Sequence, residues 1–132
     1  MPNIPSQSDL SLAGQVAVVT GGGTGIGRAI ALEFARAGAD VAIAGRRQSV
    51  LDQTVAEILE TGRRAVGITT DVQQKNSVDD LAQIVSAELG DAHILVNNAA
   101  NGGSGPSLLD SDESRWDEII DTNLKSVYLA CR

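Results

Sequence analysis

Residues 20–27 read Thr-Gly-Gly-Gly-Thr-Gly-Ile-Gly and join an apolar run, Val16–Thr20, to the start of a helical pattern. A strand, a glycine turn and a helix start in that order make a seat for a diphosphate. Glycines let the backbone turn sharply and come close to a ligand. The helix N-terminus then offers unpaired N–H groups and a partial positive charge to the anion. Taken alone, a glycine-rich turn can equally be a purely structural feature. Here the context favours a dinucleotide, because a strand precedes, a helix follows and a second apolar run begins about 20 residues further on. The common G-x-G-x-x-G spacing does not fit, since Ile26 stands where its last glycine would fall. The spacing is instead G-x-x-x-G-x-G, at Gly21, Gly25 and Gly27, with Gly23, Thr24 and Ile26 between them.

Few other side chains could do chemistry. Arg46 and Arg47 follow Gly45 at the end of the second apolar run, Asp71-Val72 follows the third, and Asn97-Asn98-Ala99-Ala100 follows the fourth. His93 is the only histidine and Cys131 the only cysteine, so neither an all-protein zinc site nor an internal disulfide is expected. Ser104 and Ser107 lie in a loop with no evident base beside them. His93 reads as a surface or edge residue, and Trp116 as packing.

The elements that must position these residues alternate strictly. Strands are expected at Val16–Thr20, Val41–Ala44, Ala65–Thr69 and His93–Asn97, and helices at Gly25–Ala37 and Gln48–Glu60. A third helix, capped by Ser77, carries Val78, Leu81, Ile84, Val85 and Leu89. A last one spans Asp112–Arg132, with Trp116, Ile119, Ile120, Leu124, Val127 and Tyr128 spaced for one face. Ile26, Ile30 and Phe34 are expected on the apolar face of the first helix. Right-handed crossovers then give a parallel α/β sheet ordered 3-2-1-4, with its switch point between the first and fourth strands. Ligands of such sheets sit outside the carboxyl ends of the strands, where the glycine loop and Asn97–Ala100 both lie.

Composition agrees with this architecture. Of 132 residues, 42% are hydrophobic but only 2% aromatic, so Ala, Val, Ile and Leu must fill the core of a single domain, residues 11–132, behind a disordered lead-in over residues 1–10. A net charge of −7 disfavours nucleic acid and anionic membranes as partners. No apolar run reaches the roughly 18 residues of a membrane helix. With one cysteine and no signal-peptide pattern, a reducing cytoplasm is the expected location.

The Thr20–Gly27 spacing, Asp71-Val72, Asn97-Asn98-Ala99-Ala100 and Asn123 within Asp-Thr-Asn-Leu occur in the order found in the short-chain dehydrogenase/reductase family. The chain resembles that family over about residues 10 to 132, as the cofactor-binding portion of a Rossmann-type, doubly wound domain. The resemblance implies that Asp71 and Val72 border the adenine, although as bare residues they equally suit an Asx turn. It implies that Asn98, Ala99 and Ala100 line the cofactor ribose, although Asn-Asn after a strand is commonly a turn. Ala100 departs from the family's glycine. Asn123 is implied to hold a water of the proton relay among the catalytic groups; its alternative is a locally bonded polar residue. The last helix is implied to pack on its copy in a homo-oligomer.

The end of the second strand chooses the cofactor. An acidic residue there accepts from the 2′-hydroxyl of NAD and repels the 2′-phosphate of NADP. This chain has Gly45, Arg46 and Arg47 instead. Two arginines at a helix start are unfavourably placed as merely solvated cations, and an arginine fork suits a phosphate, so NADP(H) is expected.

The family's tyrosine, its lysine four residues later and an upstream serine belong to a fifth strand and the helix after it, which this sequence does not reach. A tyrosine with a pKa near 10 needs such a cation to act at neutral pH. Tyr128 and Arg132 are the only Tyr-x-x-x-basic pair, on the wrong element. Two functions therefore follow: an NADP(H)-dependent carbonyl/alcohol oxidoreductase present as its cofactor-binding half, or a non-catalytic NADP-binding fragment or interaction module from a truncated reading frame. Without further strands, His93–Asn97 would be an apolar sheet edge.

Overall fold

The computed structural model describes residues 10–102 and 105–132. Apart from Leu10, the expected lead-in lies outside these residues, as does Ser104. Four strands, β1 (Val16–Thr20), β2 (Asp40–Gly45), β3 (Ala65–Thr69) and β4 (Ile94–Val96), alternate with helices α1 (Gly25–Arg36), α2 (Gln48–Glu60) and α3 (Lys75–Glu88). After β4 come α4 (Glu113–Ile120), a π-helical turn (Asp121–Lys125) and α5 (Ser126–Cys131). The strands form one parallel sheet in the order β3-β2-β1-β4, as the crossover rule requires.

Side-chain alternation builds a core on each side of the sheet. Ala17, Val19, Val41 and Ile43 face α1 and α2, where Ala31, Leu32, Leu51 and Ile58 meet them. Val16, Val18, Ala42 and Ala44 face the other way, onto Leu81 and Val85 of α3. Both faces of β1 and β2 are thus covered, which explains their unbroken apolar runs.

Several boundaries differ from the sequence expectation by a residue, with β2 also running on to Gly45, β4 ending at Val96 and α1 at Arg36. Three differences have identifiable reasons. Strand β2 starts one residue early, at Asp40, because that carboxylate is fixed by Arg63 (2.7 Å) and by the N–H and Nε of Arg64 (3.1 and 2.9 Å). Strand β4 loses His93, whose ring Nδ1 accepts the Val16 N–H at 3.0 Å and so caps the sheet entry. Ser77 does not cap α3; Gln74 holds the cap position, and Ser77 Oγ instead accepts the Asp71 N–H at 2.9 Å.

The continuous helix expected over Asp112–Arg132 is broken by the π turn. Asp112 caps α4, its carboxylate accepting the Arg115 N–H at 2.9 Å. A π turn carries one extra residue, so the inward positions shift. Thr122, Ser126 and Leu129 are buried, while Trp116, Leu124 and Tyr128 are exposed. Trp116 is thus mostly exposed and lies outside the buried core, against the expectation of a packing residue. Ile26 also departs from expectation: it lies beyond the carboxyl end of the sheet, where no layer covers it, and is exposed.

Candidate functional site

A cleft of about 550 Å³ opens at the carboxyl ends of the strands. Its floor is the switch point, because β1 pairs with β2 on one side and β4 on the other. Buried Thr20 ties the two halves together. Its hydroxyl accepts the N–H groups of Asn98 (3.1 Å) and Ala99 (3.0 Å) and faces the Val96 carbonyl at 3.4 Å. Asn98 returns two bonds from Nδ2, to the carbonyls of Thr20 (3.0 Å) and Gly21 (3.2 Å).

The glycine loop forms one wall, through Gly21, Gly23, Thr24, Gly25 and Ile26. Gly25 has φ +54°, a left-handed conformation that side chains disfavour. Gly27 does not line the cleft. A Cβ there would run into the Gly21 carbonyl and the Asn98 amide, so its role is to let the helix start close onto the loop. Thr24 caps α1 without a side-chain bond, and the first turn has no acidic residue. The first-turn N–H groups therefore remain free for an anion.

Arg46 and Arg47 form the facing wall with Gly45. The chain has ten Lys and Arg residues. Eight pair with carboxylates: Arg28, Arg36, Arg63, Arg64, Lys75, Arg115, Lys125 and Arg132. The remaining two are Arg46 and Arg47, which have no side-chain partner among the described residues.

Asp71 and Val72 line the third side. The Asx turn is formed, since Asp71 Oδ1 accepts the Gln73 N–H at 3.0 Å, and Oδ2 has no partner among the described residues. Asn98, Ala99, Ala100 and Asn101 complete the cleft, together with Thr122 from the π turn. Asn123 sits just outside. Its Oδ1 accepts the Asn101 N–H at 2.7 Å and its Nδ2 donates to the Asn101 carbonyl at 2.6 Å. One amide hydrogen and one oxygen lone pair remain over.

Sequence reasoning missed Val50, Leu51, Thr70, Gln73, Asn101 and Thr122, all of which line the cleft. Thr70, Gln73, Asn101 and Thr122 adjoin predicted site residues, and that adjacency was the available signal. The remaining candidates lie elsewhere. Arg132 pairs with Asp79 at 2.7 Å and Tyr128 is 66% exposed; neither lines the cleft. Ser107 has a partner after all, Asp110 at 2.5 Å, within an exposed local turn. Among the described residues, no group of His, Cys, Asp and Glu is arranged to hold a metal ion, and no helix is long and apolar enough to cross a membrane.

Residues 15–132 match the family model described as short chain dehydrogenase. The chain is 38% identical to a short chain dehydrogenase of Pseudocercospora fijiensis over 130 residues, which are 97% of this chain and 42% of that protein. A short-chain type dehydrogenase/reductase from Mycobacterium marinum superposes with TM-score 0.90 at 37% identity, covering 96% of this chain and 51% of that one. L-sorbose reductase from Gluconobacter frateurii, solved with NADPH and L-sorbose, superposes with TM-score 0.88 at 30% identity, over 94% and 47% of the two chains. The chain thus spans about half the length of these relatives. Motif order, sheet order, cleft and comparisons agree: the chain belongs to the short-chain dehydrogenase family of oxidoreductases.

Proposed function

We propose that the cleft binds NADP(H) and that the chain is the cofactor-binding half of a carbonyl/alcohol oxidoreductase. The observation that carries this reading is the ion-pair pattern. Every other Lys and Arg has a carboxylate, while Arg46 and Arg47 have no partner among the described residues where β2 ends, next to a glycine rather than an acid. A 2′-phosphate supplies the missing anion, and charge-assisted bonds to it are worth about 1.5–3 kcal/mol each. The glycine loop and the first turn of α1 would take the diphosphate. Asp71 Oδ2 is free to accept from the adenine amino group, and Asn98–Ala100 lies along the ribose. The bound nicotinamide supplies or takes the hydride. Asn123 holds Asn101 in place at that end, and its leftover donor and acceptor suit a relay water.

Calorimetric titration with NADP+ and NAD+ tests this. NADP+ should bind at least about tenfold more tightly, and Arg46→Ala should remove most of that preference. Equal affinities, or an unchanged preference in the variant, would overturn it.

The cleft lining contains no tyrosine or lysine. That observation favours a second reading for the chain by itself, cofactor binding without turnover. NADPH oxidation against ketones, aldehydes and sugar lactones tests this: no appreciable turnover is expected, and clear turnover that is abolished by loss of Asn123 would overturn it. We also assign the exposed Trp116 (58%) and Leu124 (64%) to a homo-oligomer contact through the last helical stretch, in a cytoplasmic protein. Trp116 is the only tryptophan, so its emission should shift to the blue as concentration rises.

A further inference from the structure

The loop after β3 reaches the last helical stretch through one side-chain bond among the described residues. Gln73 Nε2 donates to Thr122 Oγ1 at 2.7 Å. Gln73 is half-buried and Thr122 only 8% exposed, and both line the cleft. Each partner is fixed from behind. The Gln73 N–H is held by Asp71 Oδ1, and the Thr122 carbonyl accepts from the Ser126 hydroxyl. The next residue, Asn123, clamps Asn101.

A π turn is a poor helix by local criteria and persists where tertiary contacts support it. Closing Asp121–Lys125 to an ordinary helix would rotate its side chains around the axis and carry Asn123 away from Asn101. Two π-turn residues are bonded from outside the last helical stretch among the described residues, Thr122 by Gln73 and Asn123 by Asn101. We propose that Gln73 is a positioning residue: its bond to Thr122 holds the π turn and so sets the Asn123–Asn101 clamp at the opposite end of the cleft from Arg46. This places the adenine-side loop and the clamp under one constraint, and it rests on the cofactor reading above only where a ligand is concerned.

The test is NMR on the full chain with two near-isosteric deletions, Gln73→Met and Thr122→Val, and the conservative variant Thr122→Ser. In the wild type the Asn123 side-chain amide should be shifted downfield and exchange slowly. Both deletions should move it toward free-amide values and speed Asn101 N–H exchange roughly fivefold, the effect of one neutral hydrogen bond. The double variant should add nothing further, and Thr122→Ser should resemble the wild type. Unchanged Asn123 and Asn101 signals in either folded deletion variant would overturn the proposal, as would a Thr122→Ser spectrum like that of Thr122→Val. Titration with 2′,5′-ADP then separates the two readings. Binding that shifts Asn101 in the wild type but not in Gln73→Met supports the coupling. An equal Asn101 shift in Gln73→Met counts against it. If 2′,5′-ADP does not bind the wild type, the cofactor reading fails while the spectra of the free proteins still decide the role of Gln73.

Discussion

Asn123 and Asn101 close a two-bond ring: side-chain oxygen to backbone N–H at 2.7 Å, side-chain nitrogen to backbone carbonyl at 2.6 Å. The ring ties the segment after β4 to the π turn across 22 residues of sequence. Asn123→Asp keeps the acceptor but sets a second acceptor against the Asn101 carbonyl. Asn123→Ala removes both bonds. Each exposed bond is worth about 1 kcal/mol, so Asn123→Ala should lose roughly 1–2 kcal/mol, and Asn123→Asp should be no better. Urea unfolding and exchange at the Asn101 amide measure this; a stability equal to wild type in both would refute it.

The glycines at 25 and 27 should fail differently. At Gly27 a methyl meets the Gly21 carbonyl and the Asn98 amide, neither of which can retreat without opening the switch point. Gly27→Ala is expected to cost about 1–3 kcal/mol and to weaken cofactor binding as well. At Gly25 the space is open and only the φ of +54° resists, for about 1–2 kcal/mol. Unfolding midpoints and NADP+ titration of the two variants should therefore rank Gly27→Ala as the more damaging in affinity.

Gly45→Asp reverses the charge logic of the cleft. A Cβ there would sit 3.2 Å from a Leu51 methyl, a contact that a small side-chain shift relieves. The new carboxylate would pair with the neighbouring arginines and repel a 2′-phosphate while offering an acceptor to a 2′-hydroxyl. NADP+ affinity should fall about tenfold or more while NAD+ affinity is kept or improved, as read by calorimetry.

Asp40 gives the fold an acid limit. Burial pushes its carboxyl upward, but the Arg64 N–H and the Arg63 and Arg64 guanidinium groups outweigh it and hold it below its ordinary 3.8. The folded value is therefore lower than the unfolded one, so the contribution is fully present above about pH 4 and is lost as pH falls through the folded value. Asp79, lowered by its bond from Lys75 and by Arg132, and Asp112, lowered by the Arg115 N–H, act in the same direction from the surface. Asp40→Asn should lose roughly 1–2 kcal/mol at neutral pH, discounted for its half-exposed arginine partners, and should flatten the stability curve below pH 4. An acid limb as steep as that of the wild type would refute this assignment.

The sequence by itself determined the strands, their order and the place of the cleft. Period-two and period-3.6 patterns are local, and the handedness of the crossovers leaves little choice once four strands and three helices alternate. The glycine spacing, Gly45-Arg46-Arg47 and Asp71 could be placed at strand ends for the same reason. Tertiary structure decided what each of these residues is free to do. That Arg46 and Arg47 lack a carboxylate among the described residues, while the eight other cations have one, depends on which acids the fold brings beside each. That Gly27 serves packing, that His93 caps β1 and that Gln73 reaches Thr122 depend on contacts 77, 77 and 49 residues apart, such as Gly21–Asn98, Val16–His93 and Gln73–Thr122. The π turn belongs to the same class. Local contacts, the Ser126 hydroxyl on the Thr122 carbonyl and the Lys125–Asp121 pair, lie at the wider turn Asp121–Lys125. The bonds from Asn101 and Gln73, made once the sheet has assembled, tie it to the rest of the fold.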